Sequence, residues 1–234
     1  MDPKFSERLA SLSTPHLADA CLRVGAPVRC APAGVTAVQR GMRCAGRALP
    51  VRHVGSVDVF LEALGHARPG DVLVVDNGGR LDEACVGDLV TLEVQKAGLR
   101  GIVIWGLHRD TDELVSIGLP LFSLGTMATG PQRLDPRPAD SMQSARVGHW
   151  NITQQDVVAC DSDGVLFMPD EQFPEIMVAA TNIRETERQQ ADKMRAGISL
   201  REQTRFAEYL SARAINPSVG FREHLQRLGR VIEE

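Results

Sequence analysis

Lysine is scarce in this chain: of its 26 basic residues only Lys4, Lys96 and Lys193 are lysines, and the other 23 are arginines. Chemistry through an amine therefore has few places to reside. There is no basic excess either, because 26 Lys plus Arg face 30 Asp plus Glu for a formal net charge of -4. Non-specific binding to a nucleic-acid backbone is excluded, and acidic small molecules have to be met by local cations. No run approaches the roughly 18 apolar residues of a membrane span, and the opening MDPKFSERLASLST lacks the uninterrupted apolar core of a signal peptide. Neither a nucleic-acid nor a membrane partner is expected. The five cysteines are odd in number and include no C-x-x-C pair, which indicates neither a disulfide framework nor a zinc knuckle. A reducing, cytoplasmic location is the expectation, and the Asn151-Ile152-Thr153 sequon then reads as chance. What is present is ordinary for a soluble globular chain: 234 residues, 43% hydrophobic and 24% charged. That length suits one large domain, or a domain with an appended helical segment.

Apolar residues at Phe5, Leu9 and Leu12, then Leu17, Ala20, Cys21 and Val24, predict two short helices, with Ser13-Thr14-Pro15 as the start of the second. A β-rich stretch follows over about 33–54, then an amphipathic helix over 57–67 closed by Pro69-Gly70. Val72 to Val75 and Ile102 to Trp105 are short apolar runs rich in β-branched residues, as in parallel strands buried on both faces. Between them lies one helix, with Asp88 as N-cap, Leu89, Leu92, Val94 and Ala97 at roughly helical spacing, and Gly98 at its end. The unit is a right-handed β-α-β crossover. Residues 118–145 are rich in Gly, Pro and Ser, and PQRLDPRPAD reads as an exposed loop. DVVACDSDGVLFM predicts two strands around an Asp-Ser-Asp-Gly turn. A calcium loop there lacks its further ligands and its closing Glu. A long helix is expected over 170–195, stopped by Gly197, with Ser199 and Glu202 as a capping box for another. The expected division is an α/β domain over 1–169 and a C-terminal helical extension of it over 170–234.

In open parallel sheets, ligands bind beyond the carboxyl ends of the strands. Two polar clusters fall there, Asp76-Asn77-Gly78-Gly79-Arg80 and Gly106-Leu107-His108-Arg109-Asp110. The helix between them begins at Gly87-Asp88-Leu89, and the crossover is expected to bring its N-terminal amides near both, where they can receive an anion. An arginine fork, a carboxylate able to hold a divalent cation and free amides suit a small carboxylate bound with a metal. Taken alone, Arg109-Asp110 reads first as a surface ion pair at a strand end. Gly78-Gly79 reads as a tight turn, since neither G-x-G-x-x-G nor a Walker motif is present.

The spacing alters that weighing. Asp88 is followed, after twenty residues, by Arg109-Asp110. This pattern, together with GRALPV, ARPGDVLVVDNGG, GDLVTLEVQKAGLRGIVIWG continuing into LHRD, and DSDGVLFMP, resembles the RraA-like family, which includes the 4-hydroxy-4-methyl-2-oxoglutarate/4-carboxy-4-hydroxy-2-oxoadipate aldolases. The likeness runs over about 15–200. It implies a swivelling β/β/α-type fold with a partly parallel sheet, assembled as a homotrimer or a hexamer of stacked trimers. It also implies that Asp110 binds Mg2+ or Mn2+, that Arg109 orients a small 2-oxo acid substrate, and that Asp88 holds the metal's water shell. The Gly87-Asp88-Leu89-Val90 turn, through the amides of Leu89 and Val90, would receive the pyruvate carboxylate. An acid from a neighbouring subunit is expected near the metal, with Glu185 or Glu187 as the candidates. Trp105, His108 and Gln154-Gln155-Asp156 depart from the family pattern and bear on substrate identity. His108 is read either as touching substrate or shuttling a proton, or as a histidine bonded at a strand end.

Cleaving a 4-hydroxy-2-oxo acid to pyruvate, or decarboxylating oxaloacetate, needs an electron sink at the C2 carbonyl, from a lysine Schiff base or a Lewis-acid metal. Lys4, Lys96 and Lys193 all fall in polar or terminal surroundings, so the metal route is expected. Two rival readings follow from the same resemblance. A non-catalytic regulator that binds a ribonuclease or another protein is one, against which the chain keeps the metal motif and a long C-terminal extension. A methyltransferase is the other, and it lacks the glycine-rich cofactor loop.

Overall fold

The computed structural model describes Leu9 and residues 11–229. The helix expected from Phe5, and Lys4 with it, fall outside the described residues. α1 (Thr14–Val24) begins where Ser13-Thr14-Pro15 predicts: Ser13 is its N-cap, and Nδ1 of His16 accepts the Ser13 N–H at 3.1 Å. Gly25, at φ 72°, ends it in the left-handed conformation that favours glycine. Two short strands, β1 (Arg29–Cys30) and β2 (Thr36–Ala37), precede the longer β3 (Cys44–Arg52). Next come α2 (Asp58–Leu64), β4 (Val72–Asp76), β5 (Ala84–Val86), α3 (Asp88–Lys96), β6 (Gly101–Trp105), β7 (Leu107–His108), α4 (Thr111–Ile117) and β8 (Leu121–Ser123). The hairpin of β9 (Ser144–Val147) and β10 (Trp150–Thr153) leads into β11 (Asp156–Asp161) and β12 (Gly164–Pro169). The chain finishes in α5 (Phe173–Arg195), α6 (Leu200–Gln203), α7 (Phe206–Ile215) and α8 (Phe221–Arg227).

Eight strands form one sheet in the order β1-β12-β11-β3-β4-β6-β8-β2. Its centre, β3-β4-β6-β8, is parallel, while β1, β12, β11 and β2 join antiparallel at the flanks. The architecture is the mixed α/β one expected, with a partly parallel sheet and C-terminal helices. Val72 to Val75 and Ile102 to Ile104 are fully buried, because both faces of the central strands are covered. On one face Phe60, Ala63, Val94 and Leu114, from α2, α3 and α4, pack over Leu73, Val75, Ile102 and Ile104. On the other, Ala145, Val147 and Ile152 of the β9-β10 hairpin meet Val72, Val74, Val103 and Phe122. With both sides covered, no alternation of polar and apolar residues survives along these strands, hence the unbroken apolar runs.

α1 and α5 build a third cluster over β11 and β12. Leu17, Ala20 and Cys21 meet Ile176, Met177, Ala180 and Ile183, whose spacing along α5 is that of one helix face. Buried residues of α5 end at Ile183. The helix continues to Arg195 as a polar, exposed rod. Ser199 and Glu202 form the predicted capping box, the Glu202 N–H donating to Ser199 Oγ at 3.2 Å and the Ser199 N–H to Glu202 Oε2 at 2.8 Å.

Candidate active site

Two very short strands that the sequence did not signal create the site. β5 and β7 pair in parallel, with Ala84 opposite Leu107, Val86 opposite His108, and an irregularity between. The Arg109 N–H extends the pairing by donating to the Val86 carbonyl at 3.0 Å. The turn into α3 is thereby laid against the turn into α4, so Gly87-Asp88 and Arg109-Asp110, twenty residues apart along the chain, become neighbours.

The contacts there are specific. Asp110 Oδ2 accepts from the Asp88 N–H at 3.3 Å and lies 3.4 Å from Arg109 Nε. Gly87 has extended backbone (φ -132°), and a Cβ on it would fall 2.2 Å from Asp110 Oδ2 and 3.3 Å from both Cγ and Nε of Arg109. A side chain at position 87 and the present Asp110 carboxylate cannot share that space. From the far side, a Cβ on Gly130 would fall 2.8 Å from Arg109 Nη1, so the loop after β8 closes on the guanidinium. Asp110 itself sits at φ 60°, ψ 44°, left-handed for a non-glycine residue. Such a conformation persists only where its surroundings hold it, and it concentrates at functional sites. Arg109 and Asp110 keep side-chain exposures of 49% and 34%. Both remain reachable by a solute.

Gly87, not Asp88, is the N-cap of α3, and Asp88 is its first helical residue. The reason is the bond just described: the Asp88 amide is taken by Asp110, and the Asp88 Oδ1 turns to the Leu89 N–H at 2.7 Å. Of the two amides named for a carboxylate, that of Leu89 thus faces an acid of its own turn. Leu89 is 73% exposed and Val90 partly buried, so this helix end opens outward.

His108 is turned inward. It is 4% exposed, with Nδ1 2.7 Å from Ser123 Oγ and Nε2 3.1 Å from Thr111 Oγ1. Ser123 Oγ in turn receives the Gly125 N–H at 3.2 Å, which ties the histidine contact to the turn after β8. Burial holds the imidazole below its ordinary range. Both nitrogens are engaged, so His108 acts as a neutral brace between β7, β8 and α4, which is the second of its two sequence readings. Glu185 and Glu187 lie on the exposed part of α5, and Glu187 Oε2 is 3.0 Å from His16 Nε2 of its own chain.

The other polar cluster meets the second at Gly106, where a Cβ would fall 2.8 Å from Asn77 Cβ, and it also lines a cavity of its own. Asp76, Asn77, Gly78 and Arg80 line a cavity of about 510 Å3 with Arg52, His53, Arg133, Arg146 and Asn151, and none of Asp88, Arg109 or Asp110 lines it. Two contacts fix the chain there. The Trp105 ring fills the space over Gly79, where a Cβ would be 2.7 Å from Cε2, and Asp76 Oδ2 accepts from the Arg146 N–H at 3.1 Å. The cavity wall holds a network that sequence reasoning missed, because Arg133 lies in the stretch read as an exposed loop. Arg133 reaches the buried Glu83 at 2.9 Å and Asn77 Oδ1 at 3.0 Å, and His53 Nδ1 shares that oxygen at 2.9 Å.

Among the described residues, no three His, Cys, Asp or Glu side chains gather as a ready-made metal cage. What Asp110 and Asp88 supply is oxygen on one exposed edge. That donor set fits a hard divalent cation, which keeps several waters and takes one or two carboxylates plus the substrate's own oxygens.

The fold and this edge define an α/β protein with a carboxylate-and-arginine site at the end of parallel strands. The family model described as "RraA-like: Aldolase/RraA" matches residues 14–167, and the chain belongs to that family. A relative in Pseudomonas entomophila, named "Putative 4-hydroxy-4-methyl-2-oxoglutarate aldolase", is 35% identical over 102 residues, 43% of this chain and 60% of that protein. The stretches matched span 21% to 60% of such curated relatives' own lengths. Among solved structures, a Pseudomonas syringae protein of uncharacterized function superposes with a TM-score of 0.73 at 26% identity, covering 86% of this chain and 97% of that one. RraAS2 of Streptomyces coelicolor, described as an unusual member of the RNase ES inhibitor RraA family, gives a TM-score of 0.69 at 25% identity, covering 83% and 98%. No described helix is long and apolar enough to cross a membrane.

Proposed function

We propose that this chain is a divalent-metal-dependent aldolase that cleaves a 4-hydroxy-2-oxo acid to pyruvate, with oxaloacetate decarboxylation as a second activity of the same site. The observation that carries this reading is the closure of Gly87-Asp88 on Arg109-Asp110, with Asp110 held left-handed to do it. The aldolase names of relatives that match part of this chain support it. Asp110, with Asp88 beside it, is the place for Mg2+ or Mn2+. When bound, the cation would supply the Lewis acidity that a 2-oxo group needs to accept electrons.

The chain's own residues have separate tasks. Arg109 offers a planar fork to the 2-oxo acid and adds positive charge where negative charge gathers as the carbon-carbon bond breaks. The outward amides at the start of α3 orient the carboxylate, on this proposal after the Asp88 side chain releases the Leu89 N–H. Gly87 leaves room for the Asp110 carboxylate. The site is shared in a homotrimer, where Glu185 or Glu187 of a second copy completes it. A particle of monomer mass in light scattering would remove that last element.

The amine route is the chemical competitor. Lys96 and Lys193 sit in the last turns of α3 and α5, on exposed positions. The test is pyruvate release from several 4-hydroxy-2-oxo acids and oxaloacetate, with borohydride added during turnover. No lysine adduct is expected, and the Lys96→Arg and Lys193→Arg variants should keep full activity. A trapped adduct would overturn the reading. The likeness to RraAS2 over nearly its whole length favours a second reading, a regulator that binds a ribonuclease. Inhibition of a ribonuclease by a protein inert toward every acid tried would establish it.

A further inference from the structure

β3 and β11 run antiparallel next to each other in the sheet, and their register sets Cys44 directly opposite Cys160. Residues directly opposed across an antiparallel ladder have Cα atoms about 4.5–5.5 Å apart and side chains on one face. That separation lies inside the range a disulfide spans. Both belong to the hydrophobic cluster on that face, Cys160 within it and Cys44 packed against it. The sulfur also has a prepared seat: a Cβ on Gly101, at the start of β6, would fall 2.6 Å from Cys44 Sγ, so the bare glycine gives it room. Cys44 is half-buried and Cys160 only 3% exposed.

We propose that Cys44 and Cys160 are a modification site, a cross-strand pair that hydrogen peroxide converts into a reversible disulfide. Cys44 is half-buried, so peroxide can reach its sulfur from solvent. The Cys44 sulfur gives two electrons to peroxide, the O–O bond breaks, and the products are the Cys44 sulfenic acid and one water. The Cys160 sulfur then displaces the hydroxyl from Cys44, its thiol proton leaves with that hydroxyl as a second water, and the S–S bond forms. The division of labour follows from access: Cys44 is half-buried and Cys160 buried, so peroxide meets Cys44 first. Cys160, directly opposite it across the ladder, is the thiol in reach of the sulfenic acid. The other neighbouring pair, Cys21 and Cys30, makes the sharper control. Those thiols also feel one another electrostatically, but they lie on different elements, α1 and β1, with no ladder to oppose them.

The test treats the folded full-length chain with hydrogen peroxide, blocks remaining thiols by alkylation, and maps linked peptides by mass spectrometry. The expected result is a Cys44–Cys160 peptide that dithiothreitol removes, with titratable thiols falling from the five free ones to three. Cys44→Ser should abolish that peptide and keep its four thiols through the same treatment. Cys160→Ala, which needs no polar atom in the core, should instead leave a sulfenic acid on Cys44 that dimedone captures. All five thiols surviving peroxide, or oxidation confined to Cys30 or to a Cys21–Cys30 link, would overturn the proposal.

Discussion

Gly87→Ala isolates the geometry of the proposed site from its stability. The new Cβ would meet Asp110 Oδ2 at 2.2 Å and Arg109 Nε at 3.3 Å, so the carboxylate has to retreat by about 1 Å to reach an ordinary contact. Retreat is open to it, since Asp110 is 34% exposed, and what it gives up is one long hydrogen bond to the Asp88 N–H. The backbone raises no objection, because φ is -132°. A methyl group reduces the freedom of the unfolded chain by about 0.4–1 kcal/mol, while alanine is a poorer N-cap than glycine by a similar amount. These effects offset one another, and Tm should move by less than about 4 °C for a chain of this size. Catalysis is less forgiving, for a displacement of about 1 Å at the reacting centre costs on the order of 100-fold. The assay is pyruvate release at saturating Mg2+, read as kcat/KM beside a thermal melt. A variant within about threefold of the parent, under about 0.7 kcal/mol in transition-state terms, would refute the claim that position 87 makes room for a working carboxylate.

Three further outcomes are expected. Arg109→Lys should lower kcat/KM by at least about tenfold while leaving the melt unchanged, because an ammonium cannot reproduce the guanidinium fork; equal activity would remove Arg109 from substrate orientation. Arg133→Ala strands Glu83, which is 3% exposed, and should cost about 3 kcal/mol in urea unfolding, the low end for a broken buried pair because Arg80 remains 3.6 Å away. Adding Glu83→Gln should recover part of that loss, and strict additivity would contradict the pairing. His53 is held below its ordinary range chiefly by burial, with Arg133 adding to the effect and Asn77, Glu83 and Asp58 opposing it. Its folded value therefore lies below the unfolded value of about 6.5, so the unfolded chain binds the proton first on acidification and stability rises with pH. Melts taken from about pH 7.5 down to 5.5 should fall more steeply for the parent than for His53→Gln, and parallel curves would refute this.

The parts of the fold legible in the sequence were those with a repeating signal. β4 and β6 declared themselves as unbroken β-branched runs, α1 and α6 through their caps, and β11-β12 through the Asp-Ser-Asp-Gly turn. β5, β7 and β8, at two or three residues each, carry no period to read, yet β5 and β7 are what join Asp88 to Asp110. The motif spacing pointed to that junction without showing how it is made. Arg133 was hidden for a different reason: a loop rich in Pro and Asp reads as solvated, and only the tertiary structure reveals a buried Glu83 waiting for a cation. The 76–80 cluster was expected near the same helix end as Arg109-Asp110; it meets that second cluster at Gly106, and its cavity with Arg133 and Arg146 had no signal in the sequence. Asp88 misled as an N-cap because its amide is used by a residue 22 positions later.

The central claim, that Asp110 holds a divalent cation on which pyruvate release depends, is tested most directly by one titration. Pyruvate release by the parent and by Asp110→Asn is followed as Mn2+ or Mg2+ is added back to protein stripped with EDTA. Asparagine tolerates the left-handed backbone this position requires, so the variant should fold and melt like the parent. EDTA should abolish the parent's activity, either cation should restore it, and Asp110→Asn should stay inactive at every metal concentration. Activity that survives EDTA, or an Asp110→Asn variant that the metal restores as it does the parent, would contradict the claim.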